Sequence, residues 1–319
     1  MSDLITELSQ LRTGVALLPG TRRAVLVEGP DAVSYLQGQL SQDLAAMAVG
    51  SSAWSLILAP QGKVDVFVRA TRTADDAFVL DTDAGSEDQM VMRLQRFLLR
   101  TKATVTALDW MSVALRGPNS AALVEGLTST SQLVVASVAW GTVTGVDVLG
   151  TTAAVEAALP EADRPPTMSC EAFDLLRIEA GEPLMGAELN ERTIPAAAGV
   201  VERSVSFTKG CYTGQELVAR MDSRGSNVPR RLVGLEIGGE PIKRSDLPAT
   251  DLFAATDEDM TKSVGAITSA QWSPERDATV ALAYVGRAIE DASVLRVRTP
   301  TGVQSGQMMP LPFTVNEAS

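Results

Sequence analysis

Residues 205–231 read Val-Ser-Phe-Thr-Lys-Gly-Cys-Tyr-Thr-Gly-Gln-Glu-Leu-Val-Ala-Arg-Met-Asp-Ser-Arg-Gly-Ser-Asn-Val-Pro-Arg-Arg. The run predicts a strand end over Val205 to Phe207, a turn at Gly210 and a helix through Leu217 and Val218, with Cys211 near the helix start. Unpaired backbone N–H groups and the positive end of the helix dipole favour a thiolate there. Lys209 adds positive charge two residues away, and Gly214 permits close approach of a ligand or another backbone. From 209 to 231 there are five cations (Lys209, Arg220, Arg224, Arg230, Arg231) against two acids (Glu216, Asp222). The residues alone leave a second reading open: a lone Cys beside a turn is more often a small buried hydrophobe, and a basic run is more often a solvated face.

Upstream, Arg23 to Gly29 is expected as a strand ending in Gly-Pro, after which Asp31 caps a helix through Val33, Tyr35, Leu36 and Leu40. Val113 to Asn119, followed by Ala121, Leu123 and Val124, reads in the same way, which raises an internal repeat as one of two readings. Ala53 to Ala59 and Val64 to Ala70 flank Pro60-Gln61-Gly62-Lys63 as a hairpin. Ala77 to Leu80 and Thr104 to Leu108 are strands. Between them a helix opens at Ser86, with Gln89 completing a capping box and Met90, Val91, Leu94, Phe97 and Leu98 on its apolar face. Residues 132–150 read as β structure, Ala153 to Leu159 as helix, and Cys170 to Gly181 as a helix stopped by Gly181 and Pro183. Beyond 228 strand signals dominate, in Leu232 to Ile237, Val264 to Ser269, Thr279 to Val285 and Val294 to Val297. They predict a β barrel or sandwich.

Whole-chain composition narrows the chemistry. The 319 residues contain no His and two Cys. That excludes His-based triads, His-ligated metals and Cys-only zinc or iron–sulfur centres. Two thiols without a CxxC suit a reducing cytoplasm. The acidic N-terminus lacks the features of a secretory signal, and no apolar run approaches the ~18 residues of a bilayer span. A net charge of −12 opposes nonspecific binding to nucleic acid or anionic membrane. Four scattered Trp offer no stacking array for single strands. Length alone predicts about two domains at ~150 residues each.

Lys209-Gly210-Cys211-Tyr212-Thr213-Gly214-Gln215-Glu216 resembles the KGCYxGQE signature of YgfZ-type folate-binding proteins, relatives of the glycine-cleavage aminomethyltransferase (T-protein). The resemblance extends to residues 31–43, to Pro60-Gln61-Gly62-Lys63-Val64, to Leu98-Leu99-Arg100-Thr101-Lys102, to Arg177-Ile178-Glu179-Ala180-Gly181-Glu182-Pro183, to Ile194-Pro195 and to Gly265-Ala266-Ile267-Thr268-Ser269. It implies an α+β fold: two interleaved α+β subdomains over 1–228 around a folate-sized hole, and a C-terminal β barrel over 229–319. It implies tetrahydrofolate as the ligand, and a role in assembling or repairing iron–sulfur enzymes, tRNA-modifying ones included, with those client or assembly proteins as partners and without direct sequence-specific nucleic-acid or membrane binding.

On that resemblance Cys211 is the expected functional thiol. Lys209, Gly210, Tyr212, Gly214, Gln215, Glu216, Arg220 and Glu179 are the expected folate-binding residues, with Lys209 and Arg220 holding the glutamate carboxylates. No metal site is expected, and Cys170 is expected to be buried. The chain also departs from the aminomethyltransferases. Val66 stands at the position of their catalytic aspartate, and a valine cannot serve as acid or electrostatic partner. Phe173 replaces an arginine, and Val143-Thr144-Gly145-Val146-Asp147 erodes that enzyme's Tyr-Thr-Gly-Glu-Asp-Gly-Phe-Glu run. A folate-dependent aminomethyl transferase is therefore the alternative function, and a departure from that activity is the expectation.

Overall fold

The computed structural model describes residues 2–141, 143–223 and 228–313. Helix α1 (Ser2–Thr13) and strands β1 (Ala16–Pro19) and β2 (Arg22–Glu28) precede α2 (Ala32–Gln39). Strands β3 (Ser52–Leu58), β4 (Val64–Ala74) and β5 (Ala77–Asp83), helix α3 (Glu87–Gln95) and β6 (Thr104–Leu108) follow. Then come β7 (Met111–Arg116), β8 (Leu133–Trp140), β9 (Val143–Gly150), α4 (Thr152–Ala158), α5 (Cys170–Ala180), α6 (Val201–Ser204) and α7 (Gln215–Ser223). The C-terminal strands are β10 (Arg230–Ile237), β11 (Asp251–Ala254), β12 (Ser263–Ser273), β13 (Ala278–Gly286), β14 (Val294–Thr299) and β15 (Gly302–Met309).

They form a five-stranded sheet ordered β3-β4-β5-β2-β6, a four-stranded sheet ordered β1-β7-β9-β8, and a closed barrel β10-β13-β12-β11-β14-β15. β1 joins the second sheet and β2 the first, so the two sheets interleave along the chain. This is the expected mixed α/β architecture with its C-terminal barrel.

Period-2 alternation sets what each sheet buries. Along β4, Val66, Val68 and Ala70 face α2 and α3, in one apolar cluster with Leu36, Leu40, Met90 and Leu94. The other face of that sheet meets the second sheet through Ala24, Val79, Val134, Ala136 and Leu149. On that same inward phase lie Arg69 of β4 and Asp81 of β5. The barrel is joined to the rest: Val280, Leu282 and Phe313 share a core with Leu8 and Leu11 of α1 and Leu175 of α5.

Several local expectations are corrected. Asp31 precedes α2 without capping it; its carboxylate instead accepts from the Lys102 backbone N–H at 2.8 Å. Ser86 makes no side-chain cap, and the neighbouring Glu87 accepts from Gly85 N. The second strand-turn-helix unit ends in a single 3-10 turn, Ala122–Val124, so the repeat stops at its strand. Val205 to Phe207 is not a strand: it leaves α6 with Val205 buried and Ser206 N donating to Ser41 O at 3.0 Å.

Candidate functional site

Where the two sheets face each other, six charged side chains meet in the interior. Arg69 Nη1 donates to Asp147 Oδ2 at 2.9 Å, and its Nε and Nη2 grip Asp81 at 3.1 and 3.0 Å. Arg116 Nη1 donates to the other Asp147 oxygen at 2.8 Å. Arg22 pairs with Asp81 and with Asp83, the latter at 2.9 Å. Arg69, Asp81, Arg116 and Asp147 are each at most 3% exposed. Burial alone would raise Asp147, but Arg116, Arg69 and Arg22 outweigh it and hold its carboxyl at about 2. Burial lowers Arg116, with Asp147 opposing.

This network borders a cavity of about 40 Å³ whose walls include Trp54, Phe67, Trp140 and Phe173. Trp54 and Phe67 stack at 4.7 Å, and the Arg116 guanidinium sits 4.2 Å over Trp140. Arg177, the first residue of the Arg-Ile-Glu-Ala-Gly run, lines the same cavity and is fully buried; it donates to the Glu182 carbonyl, to Glu188 and to Ser269. The Nε of Arg116 is buried without a hydrogen-bond partner, and that of Arg177 faces the Asp174 carboxylate at 3.5 Å. Val66 points away into the α2/α3 core, and Phe67 occupies the cavity side. No carboxylate of this hairpin reaches the cavity: Asp65 pairs with Arg93 of α3 at 3.1 Å.

Three crevices follow one another through shared walls. The first shares Arg177 and Leu184 with a second, of about 30 Å³, which shares Ala187 and Thr268 with a third. The third, about 280 Å³, lies between the 187–197 loop and the barrel, lined by Ile194, Ala197, Thr268 and Tyr284 with Arg192 and Arg230 among its walls. The first two have room for only a few waters, since a water needs ~10–15 Å³ of such volume. The third falls near the lower end of ligand pockets, roughly 300–1,000 Å³.

The octapeptide 209–216 lines none of these three crevices. Lys209 Nζ donates to the carbonyls of Gln37 and Leu40, both at 2.7 Å, and of Gln42 at 2.9 Å, closing the C-terminal end of α2. Burial lowers this amine to about 8, with Asp43 opposing. Its three donors are thus committed to backbone carbonyls. Gly214 has φ +81, and a Cβ there would lie 2.5 Å from Ala59 O and 2.7 Å from Leu58 Cβ. Gly62 of the hairpin turn faces it, with a Cβ clash of 2.4 Å against Leu217. The two glycines let the loop seat on the hairpin backbone.

Thr213 N donates to Gly38 O, and Gln215 Oε1 accepts from Tyr212 N at 3.1 Å. Tyr212 is half-buried beside Lys209, its hydroxyl pushed up to about 12 by burial. Cys211 is exposed, four residues before α7 begins. Gly210, Glu216 and Arg220 are exposed, and a Cβ at Gly210 would touch nothing. Glu179 sits at the barrel seam, paired with Arg276 at 3.3 Å and remote from the octapeptide in its contacts. Cys170, expected to be buried, is exposed at the start of α5. Arg224 lies outside the described residues.

Sequence reading missed the ionic centre. Its signal was present as a charge at the inward phase of otherwise apolar strands, in Val-Phe-Val-Arg-Ala (66–70), Phe-Val-Leu-Asp-Thr (78–82), Val-Ala-Leu-Arg (113–116) and Val-Asp-Val (146–148). Among the described residues no cluster of three or more His, Cys, Asp or Glu could hold a metal, and no helix is long and apolar enough to cross a membrane.

Residues 2–158 match the GCVT N-terminal domain model, and 230–314 match the glycine cleavage T-protein C-terminal barrel domain. An aminomethyltransferase of Listeria monocytogenes is 24% identical over 91% of this chain and 83% of its own. The tRNA-modifying protein YgfZ of Vibrio vulnificus is 27% identical over 64% of each chain, so the match spans just under two thirds of that relative. The crystal structure of the glycine cleavage system aminomethyltransferase T from Bartonella henselae superposes with a TM-score of 0.82 at 23% identity, covering 98% of this chain and 89% of that one. With both domain models in register and the octapeptide seated on its hairpin, the chain belongs to the glycine cleavage T-protein superfamily, as a YgfZ-type member.

Proposed function

We propose that this protein binds a reduced folate along the row of central crevices and presents Cys211 to partner proteins in the assembly or repair of iron–sulfur enzymes, in a reducing cytoplasm. The observation that carries the reading is a difference of place: a crevice close to ligand size opens between the 187–197 loop and the barrel, while the exposed thiol of the octapeptide lies in a loop that forms no part of its lining. An enzyme acting on its bound small molecule needs its reactive group against that ligand. A factor acting on another macromolecule needs it outside.

The crevices fit a folate in their chemistry. The 280 Å³ cavity has room for a ring against Ile194, Ala197 and Tyr284, with Arg192 and Arg230 as partners for glutamate carboxylates. Arg177, buried between the first two crevices, places a guanidinium further along the row. Tetrahydrofolate would contribute a carrier for one-carbon units; the protein's part is to orient it and exclude water. Lys209, Gly214 and Gln215 act indirectly, by fixing the loop that displays Cys211, and Gly210 and Tyr212 flank the thiol in that loop.

Binding only to the folded state raises apparent stability by ~2.7 kcal/mol at a hundredfold excess over Kd. Tetrahydrofolate is therefore expected to raise the melting temperature of the wild-type chain, and Ala197→Trp, which fills the large cavity, to reduce that shift at least tenfold in apparent affinity. Unchanged protection in Ala197→Trp would move the ligand elsewhere, and no protection at millimolar folate would remove it.

Aminomethyl transfer is the second reading, favoured by the named relatives that align along most of the chain. Val66 in the α2/α3 core and Phe67 at the cavity oppose it, since neither is an acid. Folate-dependent ammonia release from an aminomethyl donor by the wild-type protein would restore it.

A further inference from the structure

The end of α3 and the segment that follows it carry a feature that folate binding does not use. Residues 92–102, Met-Arg-Leu-Gln-Arg-Phe-Leu-Leu-Arg-Thr-Lys, hold four cations (Arg93, Arg96, Arg100, Lys102) and no acid in a chain of net charge −12. The same segment exposes large apolar side chains: Leu99 at 87%, Met92 at 66% and Phe97 at 41%. Scattered apolar exposure is ordinary, but three such residues within eight positions, set among cations, form a patch.

The segment is held in place rather than loose. Arg100 has φ +64, a conformation that costs a non-glycine residue ~1–2 kcal/mol. Both neighbours of that turn are tied down: Thr101 N donates to Leu98 O, and Lys102 is clamped by two bonds to Asp31, through its N–H to the carboxylate and its carbonyl to Asp31 N. Asp31 spends its carboxylate on this clamp instead of on its own helix. Phe97 is stacked 4.2 Å from the Arg93 guanidinium.

Arg93 also joins the patch to the thiol loop. Its Nη1 donates to Gln39 at 3.1 Å, next to Gly38, whose carbonyl receives Thr213 N. Its Nη2 donates to the carbonyl of Leu58 at 3.2 Å, and Leu58 Cβ abuts Gly214. One shared set of contacts therefore supports both the Cys211 loop and the 92–102 projection.

We infer that Met92, Phe97 and Leu99, ringed by Arg96, Arg100 and Lys102, form a docking surface for a partner protein that presents an apolar pocket rimmed by carboxylates, and that this contact brings the partner to Cys211. Charge complementarity selects an acidic partner, because these cations are the local exception on an acidic molecule. The aliphatic exposure of Leu99 and Met92 selects a protein over RNA. Phosphates gain nothing from covering them, and the −12 field acts against a long polyanion. The inference rests on the reading that Cys211 acts on a partner.

The test places p-benzoylphenylalanine at position 99 of the full chain and irradiates living cells of the producing strain. The expected result is an adduct that survives nuclease, is destroyed by protease, and falls at least fivefold when Arg96→Glu and Arg100→Glu are added. Leu99→Glu with Arg100→Glu, at unchanged melting temperature and unchanged folate protection, is expected to lose at least tenfold of the chain's ability to restore a deletion strain. A nuclease-sensitive adduct, no adduct, an adduct indifferent to charge reversal, or full restoration by the double variant would each overturn the docking surface. Adduct formation needs no thiol, so full function of Cys211→Ser would overturn the underlying reading and leave the surface standing.

Discussion

The ionic centre and the octapeptide loop solve opposite problems. In the centre, Arg22, Arg69 and Arg116 come from three strands and meet Asp81, Asp83 and Asp147, each buried charge answered by another. In the loop, Lys209, Thr213, Gly214 and Gln215 make the contacts that seat a segment whose Cys211 stays exposed. Charges brought together from distant strands are bound to one another and take little part in chemistry. The contiguous loop leaves its thiol where another molecule can reach it. Buried networks of this kind add little net stability over an apolar core, yet breaking one partner is expensive.

Asp147→Asn separates the two regions most sharply. It leaves Arg69 and Arg116 buried against a neutral amide and is expected to destabilise the fold by about 3–5 kcal/mol in urea unfolding, without altering the Cys211 loop. The same carboxyl gives an acid signature. Its folded value of about 2 lies below the usual 3.8, so its contribution, ~2 kcal/mol, is complete above the unfolded value. It is lost as pH falls from near 4 toward 2. A chain whose acid unfolding is unchanged by Asp147→Asn would contradict this.

Gly214→Ala comes next. A Cβ 2.5 Å from Ala59 O at φ +81 is expected to cost about 2–4 kcal/mol, whereas Gly210→Ala, with nothing near, should stay within ~0.5 kcal/mol. Equal effects at the two glycines would show that the loop does not seat on the hairpin as described.

Lys209→Met removes three donors from the end of α2 and is expected to cost about 1–3 kcal/mol. Because burial lowers the amine from 10.5 to about 8, the unfolded chain holds that proton more tightly between those values. The wild type should gain stability as pH rises from 8 to 10.5, and Lys209→Met should lack that gain. A parallel pH profile for the two proteins would refute it.

What was legible in the sequence follows the same division. The hairpin around Gly62, the Met90, Val91 and Leu94 face of α3, the Gly181 stop with φ +73 and the barrel strands are local patterns, and each is present, whereas Phe97, expected on that apolar face, lies beyond the end of α3 and is exposed. The octapeptide was legible as a motif, but its roles were not. Lys209 looked like a ligand for carboxylates, and only the fold brings the end of α2 to it from 167 or more residues away. The ionic centre depends on two sheets facing each other, so an arginine at an inward strand phase means nothing until its partner strand is known. Asp31 failed as a cap for a related reason: Lys102 competes for it from 71 positions along the chain. Local propensity yields to such distant partners whenever a side chain can serve only one of them.

The central claim concerns the exposed thiol. Cys211→Ser keeps the side-chain volume close and loses the nucleophilicity and soft-metal affinity of sulfur. The decisive measurement is iron–sulfur enzyme activity in a deletion strain carrying Cys211→Ser, beside Cys170→Ser as the second exposed thiol. The account predicts that Cys211→Ser melts and responds to tetrahydrofolate as the wild type does but fails to restore activity, while Cys170→Ser restores it. Full restoration by Cys211→Ser would contradict the account and leave the octapeptide a structural clasp.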